Sequence, residues 1–352
     1  MDIYIYDGQM QLVGVCDTMI SLLWVRRFSS AGSFEIYAPA TEQNVRLLRK
    51  CRFVLRPDVN EMMYISTVLE EQTLEDGKRI IVSGYGVEGI FRKTIPIEVN
   101  TTVIKSLVPP CNGFKIPQDD PNDISIPSYT DKDYRTMNCE ELARYALNLR
   151  QLGLMVKFES GFIIPYVLKG NDLSEKICFS EKFDNLRKST YEYCEDGCCN
   201  IVNGYVKIPD VDVTYTDLPQ CQLVRTEGLD LLQYAVKSVV VDPIIKETER
   251  TSGSGGMVKY KYVDTEETAA KLEAAVEAAY TPISENFTAE VDTAVYRNEF
   301  NVGDMVTVRD DLREISFIKR IEEAQESFNA SGKFVSVTFG EPLKTIYDLL
   351  KE

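Results

Sequence analysis

The 352-residue chain contains no histidine. This absence excludes Ser-His-Asp and Cys-His catalysis, zinc bound through imidazole, and a histidine pH switch. The sequence also lacks the run of ~18 apolar residues that is typical of a membrane-spanning helix, and it lacks the basic and apolar segments of a secretory signal. We therefore expect a protein that is made and folded in a reducing cytoplasm and has no membrane segment.

Basic residues are scarce relative to acidic ones. The chain has 39 lysines and arginines against 55 aspartates and glutamates, a net charge of −16, so it lacks the net positive field with which proteins bind nucleic-acid phosphates. Residues 201–352 hold 16 of the basic and 27 of the acidic side chains, which places −11 of the −16 there. Two interpretations fit this excess: an ordinary solvated surface, or a surface or channel that must not bind a polyanion.

Nine cysteines are present, an odd number without regular spacing. This pattern does not match the disulfide framework of a secreted protein. Cys194, Cys198 and Cys199 form the one cluster that could hold a metal ion, and a fourth ligand would have to come from the remote Cys178 or Cys221. We expect free thiols in a strand-rich region and no bound metal.

Short strands separated by turn residues dominate the sequence. Residues 1–95 contain seven such strands and one helix over 41–50, a pattern typical of a small barrel or sandwich. Residues 183–352 return to short strands and contain a capped helix over 264–280. The sequence therefore predicts a mainly β protein with α+β insertions.

The intervening residues 96–182 differ in texture. A proline-rich stretch precedes a helix that starts at a plausible capping box, Asn138-x-x-Glu141. The spacing of the apolar residues predicts that Leu142, Tyr145, Ala146 and Leu149 lie on one face of this helix. These residues are expected to form a small α+β lobe.

Two motifs resemble ligand sites. Gly84-x-Gly86-x-x-Gly89 follows a strand, but the helix and βαβ spacing of a dinucleotide-binding fold are missing, and we interpret the glycines as residues that allow tight packing. The acidic stretch 119–123 lacks the glycine and the bidentate glutamate of a calcium loop. We interpret it as a solvated acidic loop, and we predict no cofactor.

Paired carboxylates could in principle cleave a glycoside. The adjacent acidic pairs are Glu140-Glu141, Asp310-Asp311 and Glu322-Glu323. Neighbouring residues on a strand point to opposite faces, and a cysteine nucleophile would have no histidine base. The sequence therefore predicts no catalytic, cofactor-binding or metal-binding residue and no enzyme.

Segments spread over nearly the whole chain resemble one known family. They are Met1–Asp7, Leu23–Tyr37, Pro39-Ala40-Thr41, Phe183–Leu186 with Tyr191-Glu192-Tyr193, Phe287–Thr293, Phe300–Val308 and Val337–Gly340. In their order and spacing they resemble the tail-hub proteins of siphophages and prophages, the Tal-like family of tail-associated proteins. This family is related to the trimeric baseplate hub of contractile-tailed phages.

The resemblance implies an architecture. It consists of two tube-type β-barrel domains, residues 1–95 and 183–352, each carrying a helix, with the α+β lobe 96–182 between them. The second barrel carries the helix 264–280 and a short C-terminal segment. A homotrimer of such subunits presents six barrels in a ring.

The resemblance also implies a role and a set of partners. The trimer adapts the six-fold tail tube and distal tail protein to three-fold tip components, and it lines or gates the DNA exit channel without catalysing a reaction. The implied partners are the distal tail protein, the tape-measure protein and tail-tip or fibre proteins, while DNA passes without specific binding. The implied location is the baseplate or tip of a virion tail that is assembled in the bacterial host cytoplasm.

Two hypotheses extend this role. An acidic channel wall would repel the genome and let it slide. The Gly/Ser-rich stretch 252–256 would be a loop that becomes ordered on contact with a neighbouring tail protein.

Two alternatives from other classes remain open. A module that binds host cell-wall polysaccharide would use clustered exposed aromatics, and Tyr191, Tyr193, Tyr205 and Tyr215 could supply some of them. Alternating tyrosines on strands also fit half-buried sheet positions. A hydrolase would use one of the carboxylate pairs.

Overall fold

The computed structural model is built mainly from β-strands, as the sequence predicts. It describes residues 2–73, 77–96, 102–126, 137–183, 185–194, 198–209, 213–215, 217–225, 236–251, 257–281, 284–310 and 315–340. The chain divides into two units, which we call unit 1 (Met1–Tyr191 with Asn286–Glu352) and unit 2 (Glu192–Glu285). The division into 1–95, 96–182 and 183–352 stays a prediction.

Seven strands and one helix open unit 1. They are β1 (Ile3–Tyr6), β2 (Leu12–Cys16), β3 (Ser21–Arg27), β4 (Ser33–Pro39), α1 (Glu42–Arg49), β5 (Phe53–Arg56), β6 (Glu61–Thr73) and β7 (Gly77–Gly86). All eight contribute to one hydrophobic core that includes Ile5, Trp24, Ile36, Leu48 and Val82. The strands therefore curve around a common interior, and α1 packs into it through its apolar face.

The next segment of unit 1 combines helices with a β-hairpin. It contains a 3-10 helix (Val87–Lys93), α2 (Val103–Ser106), α3 (Cys139–Asn148), β8 (Gly153–Glu159) and β9 (Phe162–Leu168). The capping box at the start of α3 is confirmed: the Asn138 side chain accepts from the backbone of Glu141, and the Glu141 carboxylate accepts from the backbone of Asn138. Of the four residues predicted to share one face, Leu142 and Ala146 are buried, whereas Leu149 is the C-cap residue directly after α3 and is 57% exposed.

Two strands, β10 (Cys178–Ser180) and β11 (Leu186–Cys194), lead to unit 2. Its elements are β12 (Ile201–Val206), β13 (Gln220–Val224), β14 (Val236–Val241), β15 (Ile245–Thr251), β16 (Met257–Val263) and α4 (Thr265–Ala279). β12 lies between an antiparallel β13 and a parallel β14, and β15 and β16 form a hairpin. The predicted second helix is confirmed as α4, capped by the Asp264 side chain on the backbone N–H of Glu267.

The chain then returns to unit 1. Its last strands are β17 (Ser284–Val291), β18 (Met305–Asp310), β19 (Ile315–Asn329) and β20 (Gly332–Phe339). Together with β10 and β11 they surround a second core, which includes Phe179, Phe287, Val308, Ile321 and Val337. Unit 1 thus contains two sets of strands, each with its own apolar interior.

One sheet joins the two sets. Its main path is β11-β17-β20-β19-β3-β4-β7-β6-β5-β1-β2, and none of the sheets in the described residues closes as a barrel. The link is the antiparallel pairing of β3 with β19, in which Arg27 to Leu22 lie opposite Glu323 to Phe328. β19 serves both sets, because its first half pairs with β18 and its second half pairs with β3 and β20.

Candidate functional site

The most concentrated charged cluster in the described part of the chain lies where the two sets of strands join. We call it the junction network and define it as Arg26, Arg56, Glu61, Arg297 and Glu326. Arg26 lies on β3, Arg56 on β5, Glu61 at the start of β6 and Glu326 on β19. Arg297 lies in the connection between β17 and β18, so the network joins residues of both strand sets.

Glu326 and Arg56 form its most buried pair. The Arg56 Nη1 donates to Glu326 Oε2 over 2.8 Å, and the two side chains are 0% and 1% exposed. The guanidinium also lies 5.4 Å from the ring centre of Trp24 and 4.9 Å from that of Phe328. Paired charge and aromatic faces together make the burial of an arginine tolerable, since an isolated buried ion carries a large desolvation cost.

Arg297 connects the two carboxylates. Its Nη1 and Nη2 donate to the two oxygens of Glu61 over 2.6 and 2.9 Å, and its Nε donates to Glu326 over 3.1 Å. The backbone of Arg297 has a φ of +72°, a left-handed conformation that is uncommon outside glycine. The surrounding hydrogen bonds hold this residue in place, as is typical of strained positions with a defined role.

Further contacts complete the network. Glu61 is also paired with Arg26 over 3.1 Å and accepts a hydrogen bond from Trp24 Nε1 over 3.0 Å. Arg26 Nη1 donates to Asn301 Oδ1 over 2.6 Å, and Lys333 Nζ lies 2.9 Å from Glu326 Oε1. Each carboxylate therefore meets at least two cations.

The electrostatic consequence is a pair of carboxylates that are ionised at neutral pH. Burial by itself would raise the pKa of Glu326, but hydrogen bonds and charge from Arg56 and Arg297 outweigh it and hold the pKa at about 2. The pKa of Glu61 is lowered against burial by Arg26 and Arg297 in the same way. Groups that stay fully ionised and mutually bonded fix geometry and are poor proton donors or acceptors at neutral pH.

Of the three cysteines that the sequence offers as a metal cluster, the structure describes the side chains of Cys198 and Cys199. Cys199 is buried, and its thiol donates to the carbonyl of Ala279 over 3.4 Å. Cys198 is half-buried, and the side chain of Cys194 lies outside the described residues. Over the described ranges no group of three His, Cys, Asp or Glu residues is arranged to hold a metal ion.

The glycine motif is explained by packing. A Cβ on Gly84 would collide with the carbonyl oxygen of Tyr64, and one on Gly86 would collide with the Glu88 carboxylate. Gly89 lies in the 3-10 helix and would meet Arg92 and Tyr85. The interpretation of these glycines as tight-packing residues is confirmed.

The acidic loop 119–123 is bound to its own surroundings. Asp120 accepts from the backbone N–H of Val167 over 2.7 Å, and Asp123 accepts from those of Ile104 and Ile124 over 3.0 and 2.9 Å. These carboxylates anchor the loop to α2 and β9 and so have a structural role.

The carboxylate pairs that lie in the described residues also have structural partners. Glu140 bonds to Arg92 and Arg144, each over 3.0 Å. Glu323 bonds to Arg27 over 2.6 Å. Asp311 lies outside the described residues. Glu140 and Glu323 are therefore held by neighbouring cations.

The tyrosines considered for polysaccharide binding have different environments. Tyr191 packs against the second core of unit 1, whereas Tyr205 and Tyr215 in unit 2 are 43% and 40% exposed. The side chain of Tyr193 and the Gly/Ser-rich stretch 252–256 lie outside the described residues. None of the helices over the described ranges combines the length and apolarity needed to cross a bilayer.

Sequence reasoning missed the junction network. The signal that could have found it is the position of the charges: Arg56 ends the apolar run Phe-Val-Leu-Arg, and Arg26 follows Leu-Leu-Trp-Val. A charged side chain inside an apolar strand usually needs a buried partner. The partner's identity is invisible in the sequence, because Arg56 and Glu326 are 270 residues apart.

Comparisons with known proteins agree with this architecture. A sequence model of the siphovirus ReqiPepy6 Gp37-like protein family matches residues 2–341, and no curated protein matches the chain. The fold is similar to the tail protein from Neisseria meningitidis MC58, with 13% identity, a TM-score of 0.58 and coverage of 96% of both chains.

Two further structures are similar. The 43 kDa tail protein of prophage MuSo2 from Shewanella oneidensis has 12% identity and a TM-score of 0.57, covering 97% of this chain and 99% of that one. The prophage tail protein gp18 from Listeria monocytogenes EGD-e has 12% identity and a TM-score of 0.51, covering 100% and 98%. At such identities the likeness shows a shared fold, whereas the family match extends over almost the whole sequence. The chain therefore belongs to the siphovirus ReqiPepy6 Gp37-like protein family, and it shares its fold with prophage tail proteins.

Proposed function

We propose that the protein is a structural hub of the tail tip. Three copies form a ring that connects the six-fold tail tube and distal tail protein to three-fold tip components, and the ring surrounds the DNA exit channel. The other implied partners are the tape-measure protein and tail-tip or fibre proteins. The role is architectural and requires no reaction.

The observation that carries this proposal is the duplication of strand sets within unit 1. Each set encloses its own core, one built by β1–β7 and the other by β10, β11 and β17–β20. We propose that these sets correspond to the two tube-type β-barrels of the family. Three subunits with two such sets each would place six strand sets in the ring, the number needed to match a six-fold tail tube with a three-fold assembly.

The junction network supports the same role. A ring under load during DNA passage needs its two strand sets to keep one relative orientation. The β3–β19 pairing supplies backbone hydrogen bonds, and the buried Arg56–Glu326 pair favours one register, since a one-residue slip of β19 would turn Glu326 to the opposite face of the sheet and away from Arg56.

The charge of the chain supports a channel that does not retain DNA. With a net charge of −16, the wall of a ring made from this chain would repel phosphates. Changing two acidic side chains that line the channel to lysine should slow DNA ejection. An unchanged ejection rate in such a variant would contradict this part of the proposal.

Labelled tails would test the hub role. A short epitope tag inserted at the exposed turn Ser160-Gly161 should leave the fold intact, because a Cβ added at Gly161 would meet no atom within 4 Å. Electron microscopy with an antibody to the tag should then show label at the tail tip alone, with untagged tails as the control. End-on averages should show six β domains arranged with three-fold symmetry.

Other label positions would overturn the hub role. Label along the whole tail would indicate a tube protein, and label on fibres together with binding of the purified chain to host cell-wall polysaccharide would indicate a receptor-binding module.

A further inference from the structure

The three-stranded sheet of unit 2 has one face that no other described element of unit 2 covers. α4 packs on the opposite face, where Val202, Gly204 and Val206 of β12 point towards Leu272 and Val276. Because side chains alternate along a strand, the intervening residues point away from α4. We call them the outer face and define it as Ile201, Asn203, Tyr205, Gln220, Gln222, Val224, Val236, Ser238 and Val240.

Strand register arranges the outer face in three rows. Ile201 lies between Val224 and Val236, Asn203 between Gln222 and Ser238, and Tyr205 between Gln220 and Val240. The first row is entirely apolar, and the middle row is neutral and polar, with Gln222 donating to Asn203 over 2.7 Å.

The apolar members of this face are unusually exposed. Val224 is 51% exposed, Val236 53% and Val240 62%, while Tyr205 is 43% exposed. Adjacent exposed valines on a sheet surface are a characteristic of protein interfaces, whereas single exposed apolar residues are common and need no explanation.

The outer face is also free of charge. None of its nine described residues is charged, although the chain as a whole is 27% charged. Lys237 is the one charged residue within these three strands, and by alternation it belongs to the opposite face. In line with the outer face, charged residues first appear beyond the strand ends, at Lys207 and Asp242. An apolar centre depleted of charge and followed by charged residues at its margin is the composition of a protein–protein interface.

We propose that the outer face is a contact between neighbouring copies of this chain. Two molecules that each carry a net charge of −16 repel one another, and the repulsion is smallest where the facing surfaces hold no charge. A basic partner would instead be recognised by the acidic surfaces. The face presents four branched aliphatic side chains, which pack well against protein, and a single aromatic ring, Tyr205, so its composition favours a protein occupant over a sugar. The inference rests on the proposed homotrimer and assigns one of its contacts.

The area of the outer face limits how much of a subunit interface it can form. With a strand spacing of ~4.8 Å and a rise of ~3.3 Å per residue, three strands of five residues cover roughly 240 Å². A stable interface buries about 800 Å² on each partner. The outer face is therefore one part of a larger subunit contact.

Paired lysine substitutions would test the contact. In the full-length chain, Val236→Lys with Val240→Lys places two charges on the outer face at exposed positions, where the fold tolerates them. The matched control is Ile245→Lys with Met257→Lys, which changes the net charge equally at exposed apolar positions on β15 and β16. Sedimentation velocity over a range of concentrations measures association, and far-UV circular dichroism with thermal melting checks the fold.

We expect the outer-face variant to need at least tenfold more protein for half-association than the wild type, with an unchanged melting temperature. The control variant should associate like the wild type. Equal association of both variants would overturn the inference, and so would a wild-type chain that stays monomeric throughout. Loss of binding to purified wall polysaccharide with unchanged association would overturn it in favour of a sugar site. The labelled-tail experiment does not depend on this face, so failure here leaves the hub proposal to be decided separately.

Discussion

A few buried charged residues connect the two strand sets of unit 1. Glu326 is 1% exposed and contacts Arg56, Arg297 and Lys333. Surface ion pairs contribute little to stability, but removing one partner of a buried pair leaves the other charge without compensation. We therefore expect substitutions in the junction network to lower the free energy of unfolding more than substitutions of surface ion pairs.

The substitution Glu326→Gln should lower the free energy of unfolding by about 3 kcal/mol, the lower end of the cost of breaking a buried pair. It leaves the buried Arg56 with only the half-exposed Asp58 as a counter-charge and leaves Arg297 with only Glu61. Glu323→Gln is the matched control, because Glu323 lies on β19 like Glu326 but is less buried. Its side chain is 19% exposed and that of its partner Arg27 on β3 is 29% exposed, so this substitution should cost at most ~1 kcal/mol. Urea denaturation followed by tryptophan fluorescence measures both. Equal losses would show that the buried position of Glu326 has no special weight.

The network should also set the acid stability of the protein. The pKa of Glu326 is about 2 in the folded chain against an ordinary value of 4.5. A carboxyl with a lowered pKa stabilises the fold above its unfolded pKa and loses that contribution as the pH falls towards its folded pKa. The contribution of Glu326 to the urea midpoint should therefore be constant from pH 7 to about 5 and fall between about pH 4.5 and 2.

Glu326→Gln supplies the control for this pH dependence. The variant should show a shallower fall over the same pH range, because it lacks the titrating group. Parallel curves for variant and wild type would assign the acid sensitivity to other carboxylates.

Among the structural elements, β7 shows how close packing constrains a sequence. β7 lies between β4 and β6, and β6 has a register shift after Ile65, where it faces Gly84. At this point the backbone carbonyl of Tyr64 and the ring of Phe34 occupy the space that a side chain would need. The glycine is thus required by contact between strands and not by a turn.

Gly84→Ala should destabilise unit 1 by roughly 1–3 kcal/mol, the usual cost of overpacking a core. Ser83→Ala, the neighbouring residue on β7, is the control and should have a much smaller effect because it adds no atom to the packed side. Thermal melting of both variants measures the difference. A stable Gly84→Ala protein would mean that β6 can shift away without cost.

For the whole molecule, the interruption of unit 1 by unit 2 is the main organising feature. The chain leaves unit 1 in β11 and re-enters it in β17, and these two strands are neighbours in the large sheet. Just inside the insertion, an antiparallel bridge joins Cys199 to Thr281, so the two ends of the insertion are close. A short connection could therefore replace unit 2.

Replacing residues 192–285 with a short Asn-Gly linker should give a folded unit 1 that unfolds in one cooperative urea transition. Adding Glu326→Gln to this shortened chain should lower its stability by the same amount as in the full chain, because the junction network lies wholly in unit 1. Loss of cooperative unfolding would show that unit 1 requires unit 2. The full-length chain, measured in parallel, is the reference.

Local features of this fold were predictable because their causes are local. Alternating apolar residues indicated the strands, and the caps at Asn138 and Asp264 placed the starts of α3 and α4. The missing histidine and the excess of acidic residues narrowed the function to classes without imidazole chemistry or nucleic-acid binding. The family resemblance was visible in ordered segments along the chain.

The tertiary structure alone decided which distant residues meet. Backbone hydrogen bonds between strands depend little on side-chain identity, so the pairing of β3 with β19 left no mark in the sequence. For the same reason the sequence does not show that Arg56 and Glu326 are partners, and only the folded structure brings them into contact. The sequence by itself determined the elements and the class of protein, whereas the joining of two strand sets through buried charge required the fold, because long-range pairing is decided by packing of the whole chain.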